Sequence, residues 1–466
     1  MQDKTAHINW IPFAFTFGLW LVLVSESLLA EGMFVDGVTY AVISRNMAQG
    51  VGGFWSPYYT ATFYPVFHQH PPMAIALESL FFRLFGDSLV VEKIYSVFVF
   101  LLTGLLICLV WRKMTGNFKS GWLPLLLWTS IPIVFWSATN NLLEGTMSVF
   151  VMASVLFMMN GIEGRRCLWM LLASVMLFFA LLSKGFTGLF PLAFPLLCWL
   201  IGKRISFKEA LIDTFLLIVG MAFCITIMLL IASPNALLAI KDYLNIQVLN
   251  GITIEKTADS RFFIIGRMIS EVAVPLAIVA VAFLIACFTK QCSKANGAGK
   301  WFYVFLALGL SGVLPIMISK KQSGFYMLAA MPFFALALAD FAAEHIHFET
   351  ILSNRLLKKK AIVLSSIVLI VGIGLNLTKI GKYGRDEAFL TDMKAILPYL
   401  SEDEIVSIPQ KDFSNFGYHA YFMRYGKVSL DPIGEHNHLI ATKRLQNDEL
   451  TYIELNTSKL FLYERK

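Results

Sequence analysis

Apolar segments of roughly the length of a bilayer crossing recur from one end of this chain to the other. A helix needs roughly 20 mainly apolar residues to cross the hydrocarbon core of a membrane. Eleven segments meet or approach that requirement, at residues 9–30, 88–110, 121–136, 142–160, 167–182, 186–201, 209–232, 267–288, 301–318, 324–343 and 361–378. Only 15% of the residues are charged, which excludes an ordinary soluble protein. We therefore predict an α-helical polytopic membrane protein with about eleven transmembrane helices.

The distribution of Lys and Arg predicts the orientation of these segments. With the N-terminus inside, sixteen Lys and Arg residues fall in the inner loops and nine in the outer loops, although the outer loops are longer in total. Cytoplasmic loops carry such an excess of positive charge. The loop 31–87 and the tail after about residue 379 are then outside, in the periplasm if the membrane is a bacterial inner membrane. The net charge of +7 fits this orientation, and we expect no nucleic-acid partner.

The ends of the chain differ from its middle. We expect the first apolar segment to be an uncleaved anchor, because its apolar run is longer than that of a signal peptide. Residues 379–466 mix charges with short apolar runs, which predicts a small α/β domain after a transmembrane domain of residues 1–378. Its predicted helices are DEAFLTDMKAILPYL and NFGYHAYFMRYG, and its strand-like runs are EIVSI, KVSL, HLIAT, YIEL and KLFLY. We expect no disulfides, since the six cysteines lie in apolar segments or inner loops.

The loop 31–87 is too polar to cross a bilayer and too apolar to be a free linker. It holds Asp36, Tyr40 and Arg45 beside a dense set of aromatic residues. Residues 36–48 and a second stretch beginning at Pro71–Pro72 have the pattern of amphipathic helices, which we expect to lie flat on the outer surface. We interpret this loop as one wall of an active site.

Asp36 has two interpretations. It precedes a predicted helix, where an Asp side chain commonly caps the first backbone N–H groups. It could also act as a general base on an acceptor hydroxyl at the membrane boundary. His68 and His70 are ambiguous as well, because together with Glu31 they could bind a divalent metal ion, whereas hydrogen-bonding histidines explain the pattern equally simply.

Charges at the outer ends of later segments complete the set of candidates. Glu144 is either a charge at a helix terminus or an acid facing a polar cavity. Lys184 either extends to the membrane interface or holds a lipid phosphate. Lys320 and Lys321 lie outside against the usual bias, with Tyr326 close behind, and they suit a phosphate or pyrophosphate group as well as ordinary anionic lipid.

The order of several motifs resembles that of a known family. These are DGVTYAVISRNM, HPPMAIALESLFFRLFG, VVEKIYSVF, NNLLEGTMSVFVM, SKGFTGLFPLAFPLL and SKKQSGFYMLAAMPFFALALADFA, which together cover roughly residues 8–345. The sequence is similar to GT-C type polyprenyl-phosphate-dependent membrane glycosyltransferases, in particular the group of aminoarabinose (lipid A) transferases and protein mannosyltransferases. The resemblance implies a GT-C-like fold whose first outer loop, residues 31–87, is catalytic.

The resemblance also implies roles for individual residues. Asp36 matches the essential acid of the family, with Tyr40 and Arg45 as further active-site candidates on the same segment. The remaining matches are His70 where relatives often have Lys, Glu144 where they often have Asp, and Lys184, Lys320, Lys321 and Tyr326 at positions that hold the phosphate of the donor. The implied reaction is an inverting transfer of a sugar from undecaprenyl phosphate to an acceptor on the outer face.

Other classes stay open at this point. A lipid-linked sugar flippase or transporter would show inverted repeats, which the sequence does not contain. A polysaccharide polymerase or ligase would use the same lipid-linked substrates. The sequence identifies neither the sugar nor the acceptor, which could be lipid A, another glycan or a protein, and it leaves a metal cofactor undecided.

Overall fold

The computed structural model describes residues 10–231, 234–250, 257–293, 297–348, 355–445 and 449–466. In these ranges the α-helices are Ile11–Leu23, Val35–Ala48, Met73–Phe85, Val91–Thr115, Trp122–Thr129, Pro132–Ser137, Leu143–Glu163, Arg166–Lys184, Phe194–Leu200, Phe207–Ile231, Pro234–Tyr243, Phe263–Phe288, Phe302–Val313, Met331–His345, Arg355–Leu377, Glu387–Ile396, Gln410–Phe413 and Phe416–Gly426. Short 3₁₀-helices cover Phe186–Ala193, Leu314–Ile318, Gly324–Ala330 and Leu397–Tyr399, and a π-helix covers Leu244–Leu249.

Each predicted apolar segment contains helix in the residues that the structure describes. Among the described residues, seven helices are long and apolar enough to cross a membrane: Val91–Thr115, Leu143–Glu163, Arg166–Lys184, Phe207–Ile231, Phe263–Phe288, Gly324–His345 and Arg355–Leu377. Three further apolar helices are shorter: Ile11–Leu23, Phe186–Leu200 and Phe302–Ile318. The chain is thus a multi-pass membrane protein.

The predicted segment 121–136 is interrupted rather than continuous. It forms the helices Trp122–Thr129 and Pro132–Ser137. Ile131 between them is extended, with φ −71° and ψ 124°, because a residue before proline is excluded from the α-region by the proline ring. The second of these helices therefore begins at Pro132 as a separate element. Asn140 and Asn141 follow it, at the end of the bundle that carries the tail.

Close contact between the first and last spanning segments depends on glycine. A Cβ atom on Gly18 would lie 2.9 Å from the backbone nitrogen of Leu369, and one on Gly372 would lie 2.8 Å from the Cβ of Leu21. Small residues allow helix backbones to approach each other within a membrane. Helix Ile11–Leu23 is consequently held against Arg355–Leu377, so the first and last spans belong to one bundle.

The tail forms the predicted α/β unit. Strands β1 (Gly52–Gly53) and β2 (Ser56–Pro57) lie outside the tail and make a small hairpin in the loop 31–87. The sheet of the tail consists of β3 (Ile405–Ser407), β4 (Ser429–Asp431), β5 (His438–Ala441), β6 (Leu450–Ile453) and β7 (Phe461–Arg465). Its order is β4-β3-β5-β7-β6, with β3 parallel to β4 and β5 and the remaining pairs antiparallel. Each strand-like run predicted in the tail contributes one of these strands.

Helix Val35–Ala48 does not lie exposed on the membrane surface as predicted. Every residue from Gly37 to Met47 is buried. Helix Phe416–Gly426 of the tail covers it, and the guanidinium group of Arg45 donates hydrogen bonds to the carbonyl oxygens of Met423 and Arg424, at 3.0 and 3.3 Å. The helix is buried on all its faces, and the C-terminal domain occupies the place where the prediction puts solvent.

The second predicted amphipathic helix, Met73–Phe85, keeps its expected character. It buries Ile75 and Phe82 and exposes Leu84.

The expectation of no disulfides was wrong, because Cys287 and Cys292 are bonded. Lys290 between them has a left-handed backbone, with φ 57°, which turns the chain back and brings the two Cα atoms to 5.1 Å.

Candidate active site

Asp36 lies in the first turn of helix Val35–Ala48 and does not cap it. The N-cap residue is Phe34, whose side chain makes no capping hydrogen bond, so the capping interpretation of Asp36 does not hold. Two asparagines fix this turn: Asn140 Oδ1 accepts from the N–H of Phe34 at 2.8 Å, and Asn141 Nδ2 donates to the carbonyl of Gly37 at 3.1 Å. The carboxylate of Asp36 is thereby left available to the cavity beside it.

That cavity has a volume of about 210 Å³. It is formed where the ends of several helices meet, and it is lined by Asp36, Thr39, Tyr40, Phe67, Gln69, His70, Lys184, Gln247, Lys321, Tyr326 and Phe416. We call it the polar chamber. Asp36, Lys184 and Lys321, which come from distant parts of the sequence, share it.

A second cavity of about 390 Å³ adjoins the polar chamber. Its distinctive lining is apolar, with Phe186, Leu189, Phe190, Ile316 and Ile318 among its residues. We call it the apolar groove. The two cavities have five lining residues in common: His70, Lys184, Gln247, Lys321 and Tyr326. Two lysines therefore stand where a polar space passes into an apolar one, and this arrangement fits an amphiphile with an anionic group at its middle.

Lys184 occupies the centre of the junction. Its Nζ lies 3.1 Å from Glu144 Oε1, and the two side chains are 9% and 1% exposed. The same nitrogen lies 5.7 Å from the centroid of the Tyr40 ring and 5.8 Å from that of Tyr326, within the range of cation–π attraction. The ion pair and the two rings fix the ammonium group at one place in an otherwise mobile side chain.

His70 is neutral in this environment. Its pKa is lowered well below the usual value by burial, and then by the nearby charges of Lys184 and Lys321. Its Nε2 lies 3.5 Å from Lys184 Nζ, and since an ammonium group only donates, Nε2 accepts and the proton belongs on Nδ1. His70 therefore contributes no positive charge to the polar chamber.

Lys321 is held from two directions. Its Nζ donates to Gln247 Oε1 at 3.0 Å, and Gln247 Nε2 donates to Gln69 Oε1 at 3.3 Å. The adjacent Gln322 is 2% exposed and ties the loop down, since its amide donates to the carbonyl of Ser319 at 2.7 Å and accepts from the N–H of Ile264 at 2.9 Å. The loop that presents Lys321 is therefore anchored to the start of helix Phe263–Phe288.

Burial raises the pKa of Asp36, and the positive charges of Lys184 and Lys321 oppose that rise. A carboxylate with an elevated pKa is a better proton acceptor when it is ionised. Burial also raises the pKa of Tyr40 well above its usual value, with Asp36 and Glu144 adding to the effect, so that its hydroxyl group stays protonated. The polar chamber therefore combines one base with neutral hydrogen-bonding groups and two cations.

Other predicted site residues lie elsewhere. The side chain of Lys320 lines neither cavity, and its carbonyl oxygen accepts from the N–H groups of Thr257 and Ala258, both at 3.1 Å. Arg45 is 1% exposed and faces the tail. It is nine residues from Asp36, which places it on the opposite side of the same helix.

The three candidate metal ligands are not brought together. Glu31 pairs with Lys394 at 2.5 Å, whereas His68 Nδ1 contacts Asp242 Oδ2 at 2.8 Å and its Nε2 contacts the carbonyl of Trp55 at 3.1 Å. Within the ranges that the structure describes, no group of three His, Cys, Asp or Glu side chains could hold a metal ion. His68 fits the hydrogen-bonding interpretation, and we derive no step through a metal.

Sequence reasoning missed Thr39, Gln69, Gln247 and Phe416. They are uncharged, whereas the sequence signal for this site consists of charges at the ends of apolar segments. Gln247 lies in a polar stretch between two spans, but nothing in its surroundings distinguishes it from a solvated residue. Only the fold shows that it reaches Lys321.

Comparison with known proteins finds similarity in sequence over one part of the chain and similarity in fold over nearly all of it. Residues 69–235, about a third of the chain, match the family model described as dolichyl-phosphate-mannose-protein mannosyltransferase. No curated protein matches the chain in sequence.

Two solved structures show the same fold. ArnT from Cupriavidus metallidurans, in a crystal structure bound to undecaprenyl phosphate, has a TM-score of 0.65 and 14% sequence identity, and the likeness covers 98% of each chain. The archaeal oligosaccharyltransferase AglB from Archaeoglobus fulgidus, in complex with an inhibitory peptide and a dolichol-phosphate, has a TM-score of 0.50 and 13% identity over 93% of this chain and 69% of that one. The GT-C-like fold and the C-terminal sheet domain were therefore predicted correctly.

Proposed function

We propose that this protein transfers a sugar from a polyprenyl-phosphate carrier to an envelope acceptor, with Asp36 as the base. One observation carries the proposal: Asp36, Lys184 and Lys321 line a single chamber that opens into an apolar groove. Such a reaction needs a carboxylate for the acceptor, cations for the phosphate and an apolar surface for the lipid chain. The three elements follow one another from the polar chamber to the apolar groove, in the same order as acceptor, phosphate and lipid chain.

The donor fits the two cavities end to end. Its isoprenoid chain would lie in the apolar groove against Phe186, Leu189 and Ile316. Its phosphate would lie at the junction, between the ammonium groups of Lys184 and Lys321. The sugar would then project into the polar chamber, where the amide group of Gln69 and the rings of Phe67 and Phe416 can hold its hydroxyl groups and its apolar face. That ArnT, which has the same fold, was crystallised bound to undecaprenyl phosphate supports this class of donor.

The reaction is a single displacement. The acceptor hydroxyl attacks the anomeric carbon from the side opposite the phosphate, and Asp36 takes its proton as the new C–O bond forms. The bond between the anomeric carbon and the phosphate oxygen breaks, and its electron pair leaves with the lipid phosphate. Lys184 and Lys321 stabilise the charge that develops on this leaving group. Because attack and departure occur on opposite faces, the anomeric configuration inverts.

The location follows from the distribution of positive charge. Asp36, Glu144, Lys184 and Lys321 all lie at the membrane face that carries the C-terminal domain, opposite the Lys- and Arg-rich loops. The positive-inside bias supports a proposed location of the active site on the periplasmic side of a bacterial inner membrane. The acceptor is an envelope molecule with a nucleophilic hydroxyl or phosphate oxygen, such as lipid A, another glycan or a protein.

The test is the variant Asp36→Asn. Expressed in cells that lack the native gene, it should abolish the sugar modification seen by mass spectrometry of envelope lipids, glycans and proteins, a loss of at least about 10²-fold for removing a general base. The purified variant should still bind undecaprenyl phosphate, which shows that it is folded. Asp259→Asn, an exposed aspartate, is the matched control and should restore the modification. Restored modification by Asp36→Asn would reject the assignment.

A further inference from the structure

We propose that the protein has a second amphiphile site, distinct from the donor site, that binds a membrane phospholipid with an anionic head group. The site consists of a second apolar groove of about 720 Å³ and a charged pocket of about 530 Å³ beside it. Val38 and Arg45 of helix Val35–Ala48 line these two spaces. At 100° per residue, both are about 180–200° around the helix from Asp36. The helix thus separates the second site from the polar chamber.

The second groove lies between the first span, the helix Val91–Thr115 and the end of the last span. Leu28, Leu29, Val90, Phe98, Leu101 and Ile380 are among its lining residues. Along that helix the lining extends from Val90 to Leu101, a rise of about 16 Å at 1.5 Å per residue. This is close to half of the roughly 30 Å of a bilayer's hydrocarbon core. The length fits acyl chains that belong to one leaflet.

The charged pocket lies at the end of this groove. Four cationic side chains line it, Arg45, Lys394, Arg424 and Lys427, against two acids, Asp87 and Glu402. Glu31 and Glu92 of the adjoining groove pair with Lys394 and Arg424. With Lys93, also in the groove, the two spaces together hold five cations and four acids, and the excess of one positive charge complements a phosphate diester. Lys394 and Lys427 are 38% and 29% exposed, so a head group can reach both.

Groove and pocket are continuous. They have three lining residues in common, Leu89, Arg424 and Tyr425. A polar space lined by four cationic side chains therefore passes directly into an apolar space of leaflet depth. This combination matches a phospholipid, whose phosphate and acyl chains are joined, better than a soluble phosphate, which would leave the groove unused.

Arg424 shows what the lipid would stabilise. It comes from the C-terminal domain, and its guanidinium group donates to Glu92 at 3.2 and 3.0 Å and to Asp87 at 2.7 Å. The pocket thus lies across the junction between that domain and the helix Val91–Thr115. A phospholipid there would contact both parts and should stabilise their docking.

The experiment uses the full-length protein in detergent, with bound lipid counted by native mass spectrometry and stability followed by thermal unfolding. Phosphatidylglycerol should bind and raise the unfolding temperature. Diacylglycerol, which lacks the phosphate, and glycerol 3-phosphate, which lacks the chains, should do neither. An excess of undecaprenyl phosphate should leave the phosphatidylglycerol in place.

Two matched pairs of variants locate the site. Leu101→Trp fills the groove and should abolish binding. Its control is Leu105→Trp, which should leave binding unchanged. Leu105 lies one turn further along the same helix and is as exposed as Leu101, at 49% against 50%. Lys427→Gln should weaken binding about fivefold, the effect of one lysine near an anionic head group, and the exposed Lys411→Gln should not.

Three outcomes would overturn the proposal. Glycerol 3-phosphate binding as well as the lipid, with Leu101→Trp without effect, would indicate a soluble phosphate ligand. Displacement of phosphatidylglycerol by undecaprenyl phosphate would place the lipid in the donor site. Equal losses in Leu101→Trp and Leu105→Trp would show ordinary lipid around the spans.

Discussion

Lys184 Nζ lies 3.1 Å from Glu144 Oε1, and neither side chain is more than one-tenth exposed. Breaking such a pair by removing one partner leaves a buried charge without compensation, at a cost of about 3–5 kcal/mol. Removing both partners avoids that cost. The pair therefore allows a structural role of Lys184 to be separated from its proposed role at the donor phosphate.

We expect Lys184→Met to destabilise the protein strongly, and the double variant Glu144→Leu with Lys184→Met to recover most of the stability without recovering activity. Thermal unfolding and sugar transfer would be measured for both. A double variant that is stable and active would show that Lys184 serves only to neutralise Glu144.

The pH dependence of transfer should report on Asp36. Burial raises its pKa, and the proposed base works only when it is ionised, so turnover should fall as pH decreases through that elevated value. Lys321→Met removes a positive charge that lowers this pKa, and the acid limb should therefore move to higher pH. Lys320→Met is the matched control, since its side chain lines neither cavity. An acid limb that stays in place in Lys321→Met would contradict the proximity of the two groups.

Gly185→Ala should disturb the site without touching a charged group. Gly185 has φ +89°, and a Cβ there would lie 1.7 Å from the hydroxyl oxygen of Tyr243. The clash would displace the segment that carries Gln247 and loosen its hydrogen bond to Lys321, with a loss of transfer of about 10²-fold.

The control for this variant is Gly86→Ala. Gly86 also has a positive φ, +75°, with an extended ψ of −163°, but a Cβ there meets nothing within 4 Å, so it should cost only about 1–3 kcal/mol of backbone strain. Adding Tyr243→Ala to Gly185→Ala should restore part of the transfer. No restoration would show that backbone strain alone explains the defect.

Glu78 should make stability depend on pH. It is 1% exposed, and burial raises its pKa to about 8. It accepts hydrogen bonds from Ser44 at 2.8 Å and Asn141 at 2.7 Å. The folded protein holds this proton more tightly than the unfolded chain, so stability should fall as pH rises from about 4.5 to about 8, by at most about 1.4 kcal/mol per pH unit.

Glu78→Gln keeps the shape without the charge and should remove that slope. Unfolding at a series of pH values would measure it. The exposed Glu387→Gln should leave the slope unchanged. A slope that persists in Glu78→Gln would assign it to another group.

Much of the fold follows from patterns that are local in sequence. Apolar length predicts the spans, and alternation of short apolar runs with turns predicts β3 to β7, because both depend on burial of one face. The bias of Lys and Arg predicts which ends of the spans share a side of the membrane. Asp36, Lys184 and Lys321 are thereby assigned to one face from the order of their segments alone. Their roles in catalysis stay predictions.

The rest depends on packing between distant segments. Helical periodicity places Arg45 opposite Asp36, although both are charged residues of the same predicted segment. The burial of helix Val35–Ala48 could not be predicted, because its cover is formed by residues almost 400 positions later. Gln69 and Gln247 carry no charge, and only the fold brings them to Lys321.

The two ends of helix Val35–Ala48 contact different parts of the protein. Asp36 faces the polar chamber, whereas Arg45 donates hydrogen bonds to the carbonyl groups of Met423 and Arg424. Deleting the tail would expose a helix whose residues are buried in the complete protein, and the Asp36 carboxylate would lose its support along with it. The C-terminal domain is thus part of the support of the candidate site, and a shortened protein that ends at the last span should be unable to hold the proposed base in position.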